Sequence, residues 1–320
     1  MRTVGRLALP VLAAGLLFGA GSTAAQTGPG GVGNKDGSTA SGVSQPQNAL
    51  WLRADEGVTT NGSGGVTDWA DQSGNGNDGA PELSSPQLDP SFSGFGGASA
   101  LQFRSAERDV IEVTENTDLD NTNDITVFSA VYFDTVDGNA RGIISKRDDP
   151  DSNYSYGLFS WDTNSLNFDV DGFQSQNRVD PENVISSSNN FVIGGRYSNS
   201  EGEAQLYVDG TEEGTSSFTT TIPDNPSNFR VGILTTGGDV DTDDSFGRFF
   251  EGRIGDVIVY RSALNKAQRT IVSTYLADKY GTSTSGEEIF SYDNGGFSND
   301  VAGIGRAANG DEHQIGRAHV

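Results

Sequence analysis

The 320-residue chain has no cysteine, two histidines, one methionine and only four lysines. Each scarcity removes a class of chemistry. Without cysteine there is no disulfide framework, no thiolate nucleophile and no thiolate metal site. The two histidines, His313 and His319, both stand near the C-terminal end. A histidine-based triad therefore has no general base in the long middle of the chain, and no Gly-x-Ser-x-Gly elbow occurs. Basic residues are few as well: 20 Lys and Arg face 44 Asp and Glu, a net charge of −24. That balance argues against nucleic acid and anionic membrane as partners. An acidic, lysine-poor surface fits a high-salt habitat, where the screening length shrinks to ~3 Å at 1 M and self-repulsion becomes tolerable. An ordinary acidic secreted protein is the alternative.

Long apolar runs are also missing, apart from Leu7 to Ala20. With Arg2 and Arg6 before it and Thr23-Ala24-Ala25 after it, that run has the form of a signal peptide over residues 1–25. It is too short for a comfortable membrane span of ~20 residues. The mature chain is expected to be secreted or held at the cell surface, with no membrane insertion after cleavage. Residues 26–47 are rich in Gly, Ser and Thr without apolar period and read as a flexible linker.

What the sequence does contain is strand after strand. Ala204 to Thr215 is the clearest phrase: Leu206 and Val208 alternate with Gln205, Tyr207 and Asp209, and Asp209-Gly210 signals a tight primed turn. Similar runs recur at Ile125–Phe133, Gly142–Ser145, Leu166–Val170, Phe191–Tyr197, Phe229–Ile233 and Phe249–Tyr260. No strand-helix alternation accompanies them, so a sandwich is predicted rather than a parallel sheet. One helix stands out after Asn265, which with Gln268 has capping-box spacing; Gly281 closes it, and Ile271, Tyr275, Leu276 and Tyr280 recur at helical spacing.

Four further stretches carry a family likeness. They are Leu50–Asp55, the Gly/Asn loop Asp71–Gly79, Ala100–Phe103 through Val110–Val113, and Gly252–Tyr260. Their order and spacing resemble a laminin-G-like, concanavalin A-like lectin/glucanase domain of bacterial secreted or surface proteins. The resemblance covers residues 48–282. It implies an all-β jelly-roll sandwich of two antiparallel sheets with one C-terminal helix packed outside. Function is less constrained, because this fold hosts lectins, glycosidases and adhesive modules. Residues 283–314 read as a linker and the start of a following module. Ile315–Val320 resembles the translation of a common sequencing adapter, which would make His319 foreign and place the natural continuation beyond Gln314.

Three candidate sites follow. Hard cations need several oxygens, and Asp71, Asn75, Asn77 and Asp78 supply them within one turn-rich loop. In the resembling fold the first and last strands lie close, which would let Asp256 join a structural Ca2+ site there; alternatively, Asn and Asp only shape the turn. The acidic loop of Asp239, Asp241, Asp243 and Asp244 lacks the glycine and terminal glutamate of a helix-loop-helix calcium loop, and reads as a solvated loop or a looser metal site. Trp161, flanking a turn at Asp162-Thr163-Asn164, is the candidate for stacking on a sugar, with Tyr154 and Tyr156 on the same rim; Trp51 and Trp69 read as core. Glu107-Arg108-Asp109-Val110-Ile111-Glu112 resembles the catalytic strand of laminarinase-like glycosidases, in which Glu107 and Glu112 would be the carboxylate pair. Arg108, at a position usually aliphatic, departs from that pattern. The expected function is a non-catalytic extracellular binding or adhesion module for glycan or protein. The alternatives are a structural spacer in a larger surface protein and a glycosidase.

Overall fold

The computed structural model describes residues 28–40, 43–120, 123–148, 153–171, 177–235 and 248–284, and the backbone of 304–306 and 312–314. A small hairpin, β1 (Thr39–Ala40) and β2 (Val43–Ser44), precedes the main body. Short strands follow: β3 (Asn48–Arg53), β4 (Val58–Thr60), β5 (Val66–Trp69), β6 (Gly79–Pro81), β7 (Gln87–Asp89), β8 (Ala100–Phe103) and β9 (Ile111–Val113). Then come β10 (Asp124–Phe133), β11 (Gly138–Asp148), β12 (Asn153–Asp162), β13 (Ser165–Val170), β14 (Arg178–Val179), β15 (Asn189–Ser198), β16 (Glu203–Val208) and β17 (Thr211–Ser217). β18 (Phe229–Val231), β19 (Gly252–Tyr260) and helix α1 (Lys266–Tyr280) complete the domain.

The strands form two antiparallel sheets. The first runs β17-β16-β15-β10-β19-β8-β7, with β3 also paired to β19. The second runs β14-β13-β12-β11-β18-β9-β6-β5-β4. This is the expected jelly-roll sandwich. The first and last strands of the sandwich, β3 and β19, are neighbours, with Leu50 opposite Val259 and Trp51 opposite Ile258.

Alternation builds two cores from the first sheet. Ile125, Val127, Val131 and Phe133 of β10 face the second sheet, while Phe128 and Ala130 face α1. A strand covered on both faces reads as a nearly unbroken apolar run, as β10 does. Trp69 lies wholly inside the main core and Trp51 under the helix, as the sequence predicts. Helix α1 has the predicted capping box, both Asn265 and Gln268 bonds present, and Gly281 in the left-handed region at its C-cap. The β16–β17 hairpin turns at Asp209 and Gly210, whose φ of 48° and 77° are the two positive values a primed turn requires.

One expectation is corrected. Part of the predicted flexible linker is packed: Pro29 and Val32 are buried, and Tyr260 Oη donates to the Val32 carbonyl at 3.0 Å. Val32 joins the core beneath α1, so its apolar side chain ties this Gly-rich run down. The predicted signal peptide, residues 1–25, and residues 315–320 lie outside the described residues. So does most of 283–314, apart from the antiparallel pair β20 (Ile304–Arg306) and β21 (Glu312–Gln314).

Candidate functional site

Strands β12 and β13 are joined by the turn Thr163-Asn164, with positive φ at Asp162 and Asn164. Their register pairs Trp161 with Ser165, Phe159 with Asn167 and Gly157 with Asp169. Directly opposed residues share a face. Leu158, Leu166, Phe168 and Val170 therefore fill the core, and the intervening residues stand on the outer face of the second sheet. Between Lys146 and Arg147 the β11–β12 register shifts, at a bulge. Arg147 and Tyr154 lie beyond it, on the outer face.

The outcome is a ladder of alternating rings and guanidiniums. Arg147 lies over Tyr154 at 4.8 Å and over Phe159 at 5.1 Å. Arg178 lies over Phe159 at 5.4 Å and Trp161 at 5.7 Å, and Arg248 approaches Trp161 at 5.9 Å. Such contacts are worth ~0.5–2 kcal/mol each and hold the rings in one orientation. Arg147 also pairs with the fully buried Asp169, which Arg178 approaches at 3.5 Å. The middle of this face is covered. A Cβ on Gly142 would fall 2.0 Å from the Ile233 backbone, and Ser145 Oγ donates to the Ile233 carbonyl at 2.8 Å.

At the β12–β14 end the face opens into a cleft of about 390 Å³. Trp161, Ser165, Asn167 and Arg178 line it, with Asp162, Asp180 and Glu182 at the rim. Trp161 is half-buried and the three rim carboxylates are exposed. Asn167 is only 2% exposed, yet among the described residues its Nδ2 has no hydrogen-bond partner, and neither does Arg178 Nε. Buried donors normally find acceptors, and these two belong to side chains that line the cleft.

The predicted aromatic trio therefore separates. Trp161 lines the cleft. Tyr154 lies on the same face but is buried beneath Arg147. Tyr156 is corrected: it is fully buried in the core and its Oη donates to the Leu119 carbonyl at 3.1 Å. It sits before the register shift, so it takes the inward parity. Asn167 and Arg178 escaped sequence reasoning. The signal for Asn167 was present, since Leu166-Asn167-Phe168-Asp169-Val170 alternates and its polar positions must face outward.

The predicted calcium residues separate too. Asp71 accepts from the backbone N–H groups of Trp51, Ser73, Gly76 and Asn77 at 2.8–3.1 Å, and from Ser73 Oγ at 2.6 Å. Asp78 accepts from Asp71 N at 2.8 Å. The amides of Asn75 and Asn77 donate to the Ala49 carbonyl, at 3.2 and 2.9 Å. Asp256 is absent from this group because alternation along β19 turns it toward α1. There it accepts from Trp51 Nε1 at 3.2 Å, Lys279 Nζ at 2.9 Å and Tyr280 Oη at 2.5 Å. The carboxylates of Asp71, Asp78 and Asp256 thus accept from protein donors, and Asp256 stands apart from the loop, an arrangement that does not fit one cation cage. Among the described residues, no group of three or more His, Asp or Glu is placed to hold a metal. Asp239, Asp241, Asp243 and Asp244 lie outside the described residues.

Glu107 and Glu112 do not form a strand-borne pair either. Glu107 is exposed in a 3-10 turn (Ser105–Glu107) that ends at Arg108 with φ 62°. Glu112 stands on β9, 3.2 Å from Arg230, whose guanidinium also holds Glu82 at 2.7 Å. Burial, then the neighbouring Glu82 carboxyl, raises the Glu112 carboxyl above its ordinary range. Asp109, between them, is fully buried and bound by Arg104 at 2.7 Å.

Residues 105–268 match the family model of the Concanavalin A-like lectin/glucanases superfamily. The chain belongs to this superfamily. Solved structures share the fold. The binding domain of Paraclostridial Mosquitocidal Protein 1 matches with TM-score 0.52 and 14% identity, over 71% of this chain and 52% of that one. Domain 4 of AbnA, a GH43 extracellular arabinanase from Geobacillus stearothermophilus solved with arabinotriose, matches with TM-score 0.51 and 15% identity, over 71% and 98%. The binding domain of botulinum neurotoxin serotype C1 matches with TM-score 0.51 and 18% identity, over 72% and 52%. The superfamily member described here thus spans about half the length of the toxin domains it matches. No curated protein matches it. Among the described residues, no helix is long and apolar enough to cross a membrane.

Proposed function

We propose that this chain is a non-catalytic glycan-binding module acting outside the cell, and that the Trp161 cleft is where the glycan sits. One observation carries the reading: a half-buried indole, held by guanidiniums, stands beside the orphaned Asn167 amide in a cleft of about 390 Å³. A sugar offers an aliphatic ring face to the indole and hydroxyl oxygens to the amide, and the volume falls within the ~300–1,000 Å³ usual for small-ligand clefts. Membership in a lectin/glucanase superfamily supports the reading, as does an arabinanase domain of the same fold bound to arabinotriose. The signal-like N-terminus supports export. The glycosidase alternative lacks support in the geometry, because Glu107 lies in an exposed turn and Glu112 is occupied by Arg230.

A glycan array probed with the full chain tests this. Binding is expected to at least one oligosaccharide, and Trp161→Ala is expected to weaken it about tenfold, or 1.4 kcal/mol, with the far-UV spectrum unchanged. Silence across the array would favour a spacer role.

A further inference from the structure

The polar groups of the cleft select a charge class of ligand, an inference that rests on the glycan reading above. Three carboxylates, Asp162, Asp180 and Glu182, stand around the opening, against one lining guanidinium, Arg178. That guanidinium already leans toward the buried Asp169. An anionic sugar would meet three like charges at the rim against that one lining guanidinium. A cationic amino sugar would satisfy the rim, yet the unpaired groups among the residues lining the cleft are donors, Asn167 Nδ2 and Arg178 Nε. An ammonium is donor-only and leaves them unpaired. A hydroxyl both donates and accepts. It alone gives oxygen to the two orphaned donors and hydrogen to the rim carboxylates.

We propose that the Trp161 cleft recognises adjacent hydroxyls of a neutral sugar, with Asn167 and Arg178 donating from below and the rim carboxylates accepting from above.

Titration calorimetry of the full chain against three sets of trisaccharides tests it: neutral (glucose, arabinose and mannose trimers), anionic (trigalacturonate) and cationic (a glucosamine trimer). A neutral trimer is expected to bind about tenfold or more tighter than either charged set. Its affinity should change less than about twofold between 0.1 and 1 M NaCl, since screening acts on net charges. Asn167→Ala should weaken it about tenfold by removing a buried donor. Should that variant misfold, Glu182→Gln, on the exposed rim, should still weaken the neutral ligand several-fold without favouring the cationic one. A charged trimer that binds tighter, and is lost with Trp161→Ala, overturns this inference and leaves the glycan reading intact. Failure of all three sets to bind overturns both.

Discussion

Asp209 shows how far a single residue departs from its solution chemistry in this fold. It occupies the first position of the primed turn, and its carboxylate accepts from Val192 N at 2.8 Å. Burial pushes its pKa up to about 6, from the ordinary 3.8. The folded state therefore holds a proton that the unfolded chain releases between pH ~4 and ~6, so ionisation weakens folding as pH rises through that window. Asp209→Asn keeps the acceptor and suits the positive φ while removing the charge. It should stabilise the chain at pH 7.5 by about 1 kcal/mol, after discounting for solvent screening, and the gain should vanish near pH 4. Urea midpoints at the two pH values check this; equal shifts at both would show that ionisation is not the cause. The turn itself was legible, because Asp-Gly between alternating residues is a short-range signal. The burial that shifts the carboxyl was not, because it depends on what packs around the turn.

Among elements, the Asp71–Asn77 loop and helix α1 make a contrast. The loop lies along the edge of β3, where Asp71 takes the Trp51 amide and Asn75, Asn77 and Ser73 reach the Ala49 carbonyl. Side chains there do what a neighbouring strand would do and close an edge that could pair with another chain. Asp71→Ala is expected to lower stability by about 2 kcal/mol, because several buried N–H groups lose their acceptor. A chelator is expected to leave the thermal midpoint unchanged; a fall on chelation, reversed by Ca2+, would restore the calcium reading. Helix α1 is anchored by Asp256, a fully buried carboxylate bound by Lys279, Tyr280 and Trp51. Asp256→Ala leaves Lys279 with the exposed Asp55, at 2.6 Å, as its one carboxylate partner among the described residues and should lose about 3 kcal/mol in urea unfolding. The helix and its caps were readable because capping is local. The destination of Asp256 was misjudged: nearness of the first and last strands was right, but the face it occupies follows from alternation along β19.

For the whole molecule, stability must come from packing rather than disulfides, since no cysteine is present. Two apolar cores share the first sheet, one against the second sheet and one beneath α1. Against them acts a net charge of −24. Raising NaCl from 0.1 to 1 M shortens the screening length from ~10 to ~3 Å. The melting midpoint should rise by roughly 5 °C, equivalent to about 2 kcal/mol for a domain of this size. A flat or falling midpoint would remove the high-salt interpretation of the composition. The sequence by itself determined the strand cadence, the hairpin, the helix with its caps and the absence of thiol chemistry, all of which follow from local periodicity and residue type. Tertiary structure decided the rest: that Tyr156 belongs to the core, that Asp71 and Asp256 serve different neighbours, and that Asn167 and Arg178 meet Trp161 at one cleft. Those outcomes depend on strand register and on bulges, where a shift of one residue exchanges the faces of a sheet.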